Sequence, residues 1–557
     1  MKSQGINKTP WVVGFVIIVI IGAMWWKSNP SPIKSPVSPN SDRDGVNHPN
    51  PNNTLAQTNN LHSHAKLAGP PDARPRDKRI ANGERLSLQF CGTCHVYPKP
   101  DVLTQANWRE KTLPWMSRWV GLRPPEEGLA NPAGFERVKA AGVFPPKPLM
   151  SIRDWNDVVD YYTQTAPKEL PITNQPSVSL DLNLFEPFTP KRKFSAAVMT
   201  VRVNRQEGGL WVMHEASNTL YKLDAKYQWT TTTRNLESPA SSIVPSEYGI
   251  LATLMGSDWQ GSWFPQGALV RFAKDKTQTM GGALHRPTDI LPLDLNKDGR
   301  EDLVITEHGN ILGKVFWLEK LGNGFKQHTL LDLPGGLNVA SGNFNGDDIP
   351  DLVILTGQAI EAVHLFLSIG PGKFEHRMIL MRQPAWGHSH IEVVDFNKDN
   401  HPDLLITNGD NAEIENYPPK PYHGVRLHLN DGKNNFSEAL FFPQYGAYRA
   451  LAADFDEDGD LDIASIAYFG RHDLTPDAGF VFLRQDKPLE FSAHTLPASR
   501  DGRWLTMDVG DIDQDGDIDI ALGALNDGPS QKYFPKEFND RWRKNPVPVL
   551  ILKNRAK

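Results

Sequence analysis

Cysteine is nearly absent: the 557 residues contain two, Cys91 and Cys94. A disulfide framework is therefore excluded. Basic excess is absent too. The formal net charge is −6, which speaks for no nucleic-acid partner, since such surfaces are strongly basic. No glycine-rich loop stands between a strand and a helix, as a dinucleotide site requires. What the chain has in plenty is Gly (44) and Pro (45), the composition of a turn-rich fold. At this length more than one domain is expected.

Long apolar runs are scarce, and one stands out. "TPWVVGFVIIVIIGAMWW", residues 9–26, is uncharged, preceded by Lys2 and Lys8 and followed by Lys27. As a helix it spans about 27 Å, close to the hydrocarbon core of a bilayer. Trp11, Trp25 and Trp26 lie at its ends, where interfacial tryptophans belong. With no small-residue cleavage site after it, residues 1–27 read as an uncleaved signal anchor, a transmembrane helix. Residues 28–77, rich in Pro, Asn and Ser, read as a disordered tether.

Residues 78–170 carry helical patterns. Asn82 is a candidate cap for "GERLSLQF", which delivers Cys91. Ser151, with Asp154 three residues on, caps a helix whose apolar face is Ile152, Trp155, Val158, Val159 and Tyr162, ending at Ala166-Pro167.

From 180 to 557 a repeat takes over. "DLNKDGREDLVI" starts at 294, "NFNGDDIPDLVI" at 343, "DFNKDNHPDLLI" at 395, "DFDEDGDLDIAS" at 454 and "DIDQDGDIDIAL" at 511. Strand pairs such as "VFWLEKLGNGFKQHTL" follow the loops. A unit near 50 residues suits a four-stranded propeller blade. Two further units without the acidic loop precede 294, giving an all-β seven-bladed propeller. The last blade stops one strand short at "VPVLILKN". Since an open edge is unfavourable, "NLFEPFTP" (183–190) is expected to supply the missing outer strand.

Cys91-Gly-Thr-Cys94-His95 is the attachment pattern of a c-type haem. Two thioethers hold the macrocycle and the adjacent histidine binds iron. A zinc site would need a second ligand pair, and a thioredoxin-like pair a βαβ setting; neither is present. For the opposite side of the iron, residues 78–170 offer Met116 and Met150. Met116, on a segment of its own, is the preferred ligand, with Met150 the alternative.

In the acidic loops positions 1, 3, 5 and 9 are Asp or Asn: Asp294, Asn296, Asp298, Asp302; Asn343, Asn345, Asp347, Asp351; Asp395, Asn397, Asp399, Asp403; Asp454, Asp456, Asp458, Asp462; and Asp511, Asp513, Asp515, Asp519. Such oxygen clusters suit Ca²⁺. Position 12 is never the Glu of an EF-hand. The loops at 454 and 511 carry four carboxylates each, with Gly459 and Gly516 at the turn. The loop at 343 is the poorest, and Asn400 replaces the glycine at 395. Two to five ions are expected, each pinning a hairpin.

On these motifs residues 78–170 resemble a single-haem cytochrome c domain. Residues 180–554 resemble the FG-GAP/VCBS repeat propellers related to the integrin α-subunit head. Together they resemble bacterial VCBS-repeat proteins with an N-terminal cytochrome module. The resemblance implies haem at Cys91, Cys94 and His95, calcium in the "DxDxDGxxD"-type loops, and no particular substrate.

The face opposite the acidic loops collects His285, Arg286, His308, Trp386, His388, His390, Tyr417, His423, Arg449, His472, Arg503 and Trp504. Its loops lengthen in the last three blades, and long loops on a rigid scaffold are where binding concentrates. His388, His390 and Arg449 are the candidates for catalysis. Three readings stay open: an electron carrier whose propeller docks a redox partner protein; an oxidoreductase acting on a small molecule or sugar; and a calcium-dependent adhesion protein binding a glycan or other ligand. Each places the folded part outside the bacterial cytoplasmic membrane, in the periplasm or beyond.

Overall fold

The computed structural model describes residues 65–556, except 70, 125–131, 192–193, 234, 258–264, 274–275, 359, 413, 415–417 and 529–533. The apolar run 9–26 and most of the expected tether lie outside the described residues. Among the described residues no helix is long and apolar enough to cross a membrane.

The N-terminal part of the described chain is helical. Helix α1 (Arg76–Phe90) leads to the Cys91–His95 turn, α2 (Leu113–Trp119) follows a π-helical turn at Trp108–Thr112, α3 is Pro132–Ala140 and α4 is Ile152–Thr165. Ser151 caps α4 as its sequence requires: its hydroxyl accepts from the Asp154 amide (3.1 Å) and donates to the Asp154 carboxylate (2.8 Å). Trp155, Val158, Val159 and Tyr162 are buried, whereas Ile152, in the first turn, is exposed.

Two expectations are corrected. Asn82 caps nothing: α1 starts at Arg76, and Asn82 sits in its interior, donating to Asp157 at 2.7 Å. The helix persists past Asn82 because α1 and α4 cross at Gly83, where a Cβ would meet the Asp157 carbonyl oxygen at 2.0 Å. Residues 65–67, in turn, assigned to the tether, are held against α4. Asn156 on α4 engages both backbone groups of Leu67 at 2.9 Å, and Trp155 Nε1 donates to the Ala65 carbonyl. One asparagine thus satisfies a peptide unit as a neighbouring strand would.

Seven four-stranded antiparallel sheets follow. Five of the second strands, Asp302–Glu307, Asp351–Thr356, Asp403–Asn408, Asp462–Ala467 and Asp519–Ala524, are buried along their whole length. This explains their continuous apolar runs, which lack the alternation of a half-exposed sheet. The seventh blade closes as expected: its outer strand is Phe185–Phe188, paired antiparallel with Val549–Asn554. Phe185 anchors it, edge-on to Phe455 and Phe482 at 5.8 and 5.6 Å. Between α4 and this strand the connector lies along blade 6, where Ser179 exchanges backbone bonds with Ala493 and Thr495.

Every first strand carries a bulge at the same place, between Val198/Thr200, Ala240/Ser242, Pro287/Asp289, Gly336/Asn338, His388/His390, Ala447/Arg449 and Trp504/Thr506. The bulges put one polar residue per blade at an equivalent position beside the central channel. First strands are sheet edges, so their channel-side amides need acceptors.

Candidate functional site

The acidic loops share one backbone. Position 4 is left-handed at Lys297, Lys398, Glu457 and Gln514 (φ 56°, 59°, 58° and 65°), and position 6 at Gly299, Asn400, Gly459 and Gly516 (φ 80°, 67°, 98° and 97°). Glycine carries this conformation without strain and asparagine with little, which accounts for Asn400. The loop at 343 departs: Gly346 is left-handed at position 4 (φ 76°), while Asp348 at position 6 is not.

The position-9 aspartates are the buried staples of the repeat. One oxygen of Asp302, Asp351, Asp403 and Asp519 accepts from the amide at position 2, the other from the third strand. Burial, then neighbouring carboxylates, pushes Asp302 up to about 6 and Asp462 and Asp519 to about 7.

Among the described residues three carboxylates converge in two loops, Asp454/Asp456/Asp458 and Asp511/Asp513/Asp519, with oxygens within 4.8 Å of one another. One ion at 2.3–2.6 Å from each ligand reaches oxygens up to about 5 Å apart. The donor set therefore fits a hard cation. Asp462 and Asp515 stand outside these tight groups. Lys553 Nζ lies 3.2 Å from Asp513, and in the other loops cationic or amide N–H groups lie against carboxylates that do not converge in threes. Arg300 folds onto Asp298, Asn345 Nδ2 donates to Asp347 at 3.0 Å, and Asn397 Nδ2 to Asp399 at 2.9 Å. Five equivalent sites are thus not what the geometry presents.

The haem motif sits where α1 ends. Both cysteines are free thiols. Cys91 packs into an apolar cluster with Trp108, Leu113, Val158 and Tyr162, and burial pushes its thiol up to about 11. His95 Nδ1 lies 3.0 Å from the Val96 carbonyl. Such a contact orients a metal-binding imidazole through its other nitrogen. Burial lowers the His95 pKa, keeping the ring in its ligating, neutral form. Met150 is buried in the cluster that holds Cys91, and Met116 packs against it, so both sulfurs stay eligible. Two free thiols, an oriented imidazole and a thioether in an apolar setting fit a c-type haem.

This helical module rests on the face opposite the acidic loops. Tyr422 donates to the Val102 carbonyl at 2.9 Å and the Lys99 amide to Gln383 at 3.1 Å. Ile414 joins the module's own apolar cluster, with Ala385 and Tyr422 packed against it. Trp386 stacks on Tyr422 (5.3 Å, 14°) under the guanidiniums of Arg382 and Arg426. The long loop of blade 5 is therefore the seat of the module.

The sequence-selected residues of that face separate into groups. Arg503 lies over the Tyr468 and Phe534 rings, Trp504 is in the core, and His472 stacks on Phe538 of α5 (Lys536–Lys544). These side chains pack on one another. His388 is held by Thr356 O (3.1 Å) and Glu361 (3.2 Å), a joint between blades and not a free catalytic base. His285 and His308 sit against Glu307 and Gln358. Tyr417 lies outside the described residues. Arg286, His390, His423 and Arg449 remain; His423 is buried at the end of the blade 5 loop, and His390 and Arg449 lie on adjacent blades beside the channel. Sequence reading missed the channel acids that accompany them, Asp289, Glu392 and Asp508. They lie two or four residues into three of the seven first strands.

No curated protein matches the chain in sequence. Among solved structures a streptogramin B lyase is 12% identical, covering 67% of this chain and 98% of that one at a TM-score of 0.42. A catalytically inactive virginiamycin B lyase from Staphylococcus aureus with quinupristin is 11% identical, covering 66% and 99% at a TM-score of 0.41. These superpositions are loose, and the fold rests on the strand pairing itself. The FG-GAP-like repeat family matches residues 294–354 and 343–406. The chain thus carries FG-GAP-like repeats within a seven-bladed β-propeller.

Proposed function

We propose that the protein is a membrane-anchored c-type cytochrome that transfers electrons, with a calcium-stabilised propeller as its docking platform. The observation supporting this most is the seating of the Cys91–His95 module on the long-loop face, through Tyr422, Gln383 and Ile414. That contact places the module beside the loops available to a partner. Cys91 and Cys94 would hold the macrocycle, and His95 with Met116 or Met150 would ligate its iron. Bound haem supplies one-electron redox chemistry. The chain's own part is to keep His95 neutral and oriented through Val96, and to surround Cys91 with apolar side chains. The apolar run 9–26 anchors the chain in the bacterial cytoplasmic membrane with the folded part on the periplasmic side. Asp454/Asp456/Asp458 and Asp511/Asp513/Asp519 are the first calcium sites to fill.

The test is absorbance of the full chain made in a host that matures c-type cytochromes. Covalent haem is expected, lost in Cys91→Ala/Cys94→Ala, with fast reduction by small redox proteins. Absence of covalent haem overturns the proposal. Reduction by sugars or alcohols alone favours the oxidoreductase reading, which the His390/Arg449 pair in the channel supports.

A further inference from the structure

The channel-side edges of the first strands are bridged in some blades. In blades 3 and 7 the residue at the bulge takes an amide of the next blade, whereas Thr200 and Ser242 donate instead and Asn338 Oδ1 has no hydrogen-bond partner among the described residues. Asp289 accepts from the Val339 amide at 3.3 Å and Thr506 from Val201 at 3.3 Å. One step deeper, Glu392 accepts from Ala452 and Asp508 from Val203, each at 2.8 Å. These bonds satisfy groups that a sheet edge would otherwise leave bare.

Blade 6 carries no acceptor there: its residue at the Asp289 position is Arg449, which has donors only. The amide it faces belongs to Met507, which pairs with Leu522 in the register in which Val339 pairs with Ile354 and Val201 with Val212. By that register the Met507 N–H faces the channel as those of Val339 and Val201 do. Blade 6 thus presents a donor side chain where blades 3 and 7 present an acceptor.

The Arg449 charge is not matched locally either. Asp508, Asp289 and Glu392 act on it through space only, and the oxygens of Asp508 and Asp289 serve other donors. Asp508 serves Val203 and lies 3.7 and 3.5 Å from Arg202 and Arg205, and Asp289 also accepts from Ser242 at 2.9 Å. Arg449 Nε is buried without a hydrogen-bond partner among the described residues. On the adjoining blade His390 is 7% exposed, and its Nδ1 likewise has none. A desolvated guanidinium, an edge amide and a neutral imidazole thus share one stretch of channel with no anion among them.

We infer that this stretch of channel binds a small carboxylate-bearing molecule. Its carboxylate takes the place that Asp289 fills in blade 3, accepting from Arg449 and the Met507 amide, with His390 Nδ1 hydrogen-bonding a neighbouring hydroxyl or carbonyl. The planar guanidinium matches a carboxylate through two parallel bonds. The inference is independent of the haem.

Calorimetric titration of the full chain tests it, using matched probes: gluconate against sorbitol, lactate against 1,2-propanediol, acetate against ethanol. At least one carboxylate gives saturable binding while its alcohol gives none. Arg449→Gln weakens that binding at least tenfold, and Arg449→Lys, which keeps charge but not the fork, falls between. Titrations in which no carboxylate binds, in which the alcohols bind equally, or in which a folded Arg449→Gln protein behaves as the parent overturn the inference. The matched pairs decide it in the parent protein even where a variant does not fold. Heat is read without haem absorbance, so a failure of the cytochrome reading leaves this result interpretable.

Discussion

On one face of the propeller, five connections between first and second strands are nine-residue acidic loops, four of them with the same left-handed positions 4 and 6, and an aspartate at position 9 staples each to the third strand. On the other face the described connections differ in what they carry. One carries a helix with an aromatic cluster around Arg503, another seats the helical module through Tyr422 and Ile414. The first face solves one local problem five times, the stapling of a hairpin by a buried aspartate. The second face packs over long range where it carries the helix and the module. Repetition belongs to local closure here, and irregularity to long-range packing.

The largest test of the repetitive side is its closure. Phe185 is 3% exposed and packs between Phe455 and Phe482 in the last blade. Phe185→Ala removes a buried aromatic and costs about 3–5 kcal/mol. Thermal denaturation should show a clear drop in Tm, with aggregation as the outer edge of Val549–Asn554 frees. An unchanged Tm would mean the ring does not depend on its N-terminal strand.

Next comes the division among the loops. Calcium at a hundred times its Kd stabilises a site by about 2.7 kcal/mol. Chelator should therefore lower Tm, and Asp456→Asn with Asp513→Asn should remove most of that response. Asn343→Ala with Asn345→Ala should leave it intact. An equal loss from both pairs would erase the distinction drawn from converging carboxylates.

What could be read in advance follows the same division. The loops, the blade count and the closing strand recur in the chain or complete a recurring count, so period alone exposes them. Ser151 was legible because a cap is local. Asn82 was not, since its helix is extended by the crossing at Gly83, a contact with Asp157 far away in sequence. The docking of residues 65–67 depends on Asn156, and the composition of a Pro- and Asn-rich stretch says nothing of that partner. His388, Arg503 and Trp504 looked like site residues because polar and aromatic side chains at strand ends have the same letters whether they pack or bind. Only their neighbours separate the two cases.

The channel gives a smaller, pH-dependent effect. Burial first, with Asp508 adding and Arg449 and Arg205 opposing, pushes Glu392 up to about 7. Its folded value lies above the unfolded one near 4.3, so the folded state binds the extra proton. The stability this gives is full below about pH 4.3 and is lost as pH rises toward 7. Over that window the parent's Tm should fall relative to Glu392→Gln. Parallel curves would show that Glu392 ionises freely in the fold.

The smallest effect is expected where module meets propeller. Tyr422→Phe removes one hydrogen bond, to the Val102 carbonyl, and leaves the ring to stack on Trp386. A neutral hydrogen bond contributes about 0.5–1.5 kcal/mol, too little to move the unfolding of seven blades. The loss should appear instead as faster proteolysis of the connector between α4 and the Phe185–Phe188 strand, at an unchanged propeller Tm. Trp386→Ala, which takes away the stacking partner as well, should release the module further. If Tyr422→Phe lowers the propeller Tm and leaves the connector protected, the bond serves blade 5 itself. The irregular face would then be no less structural than the repetitive one.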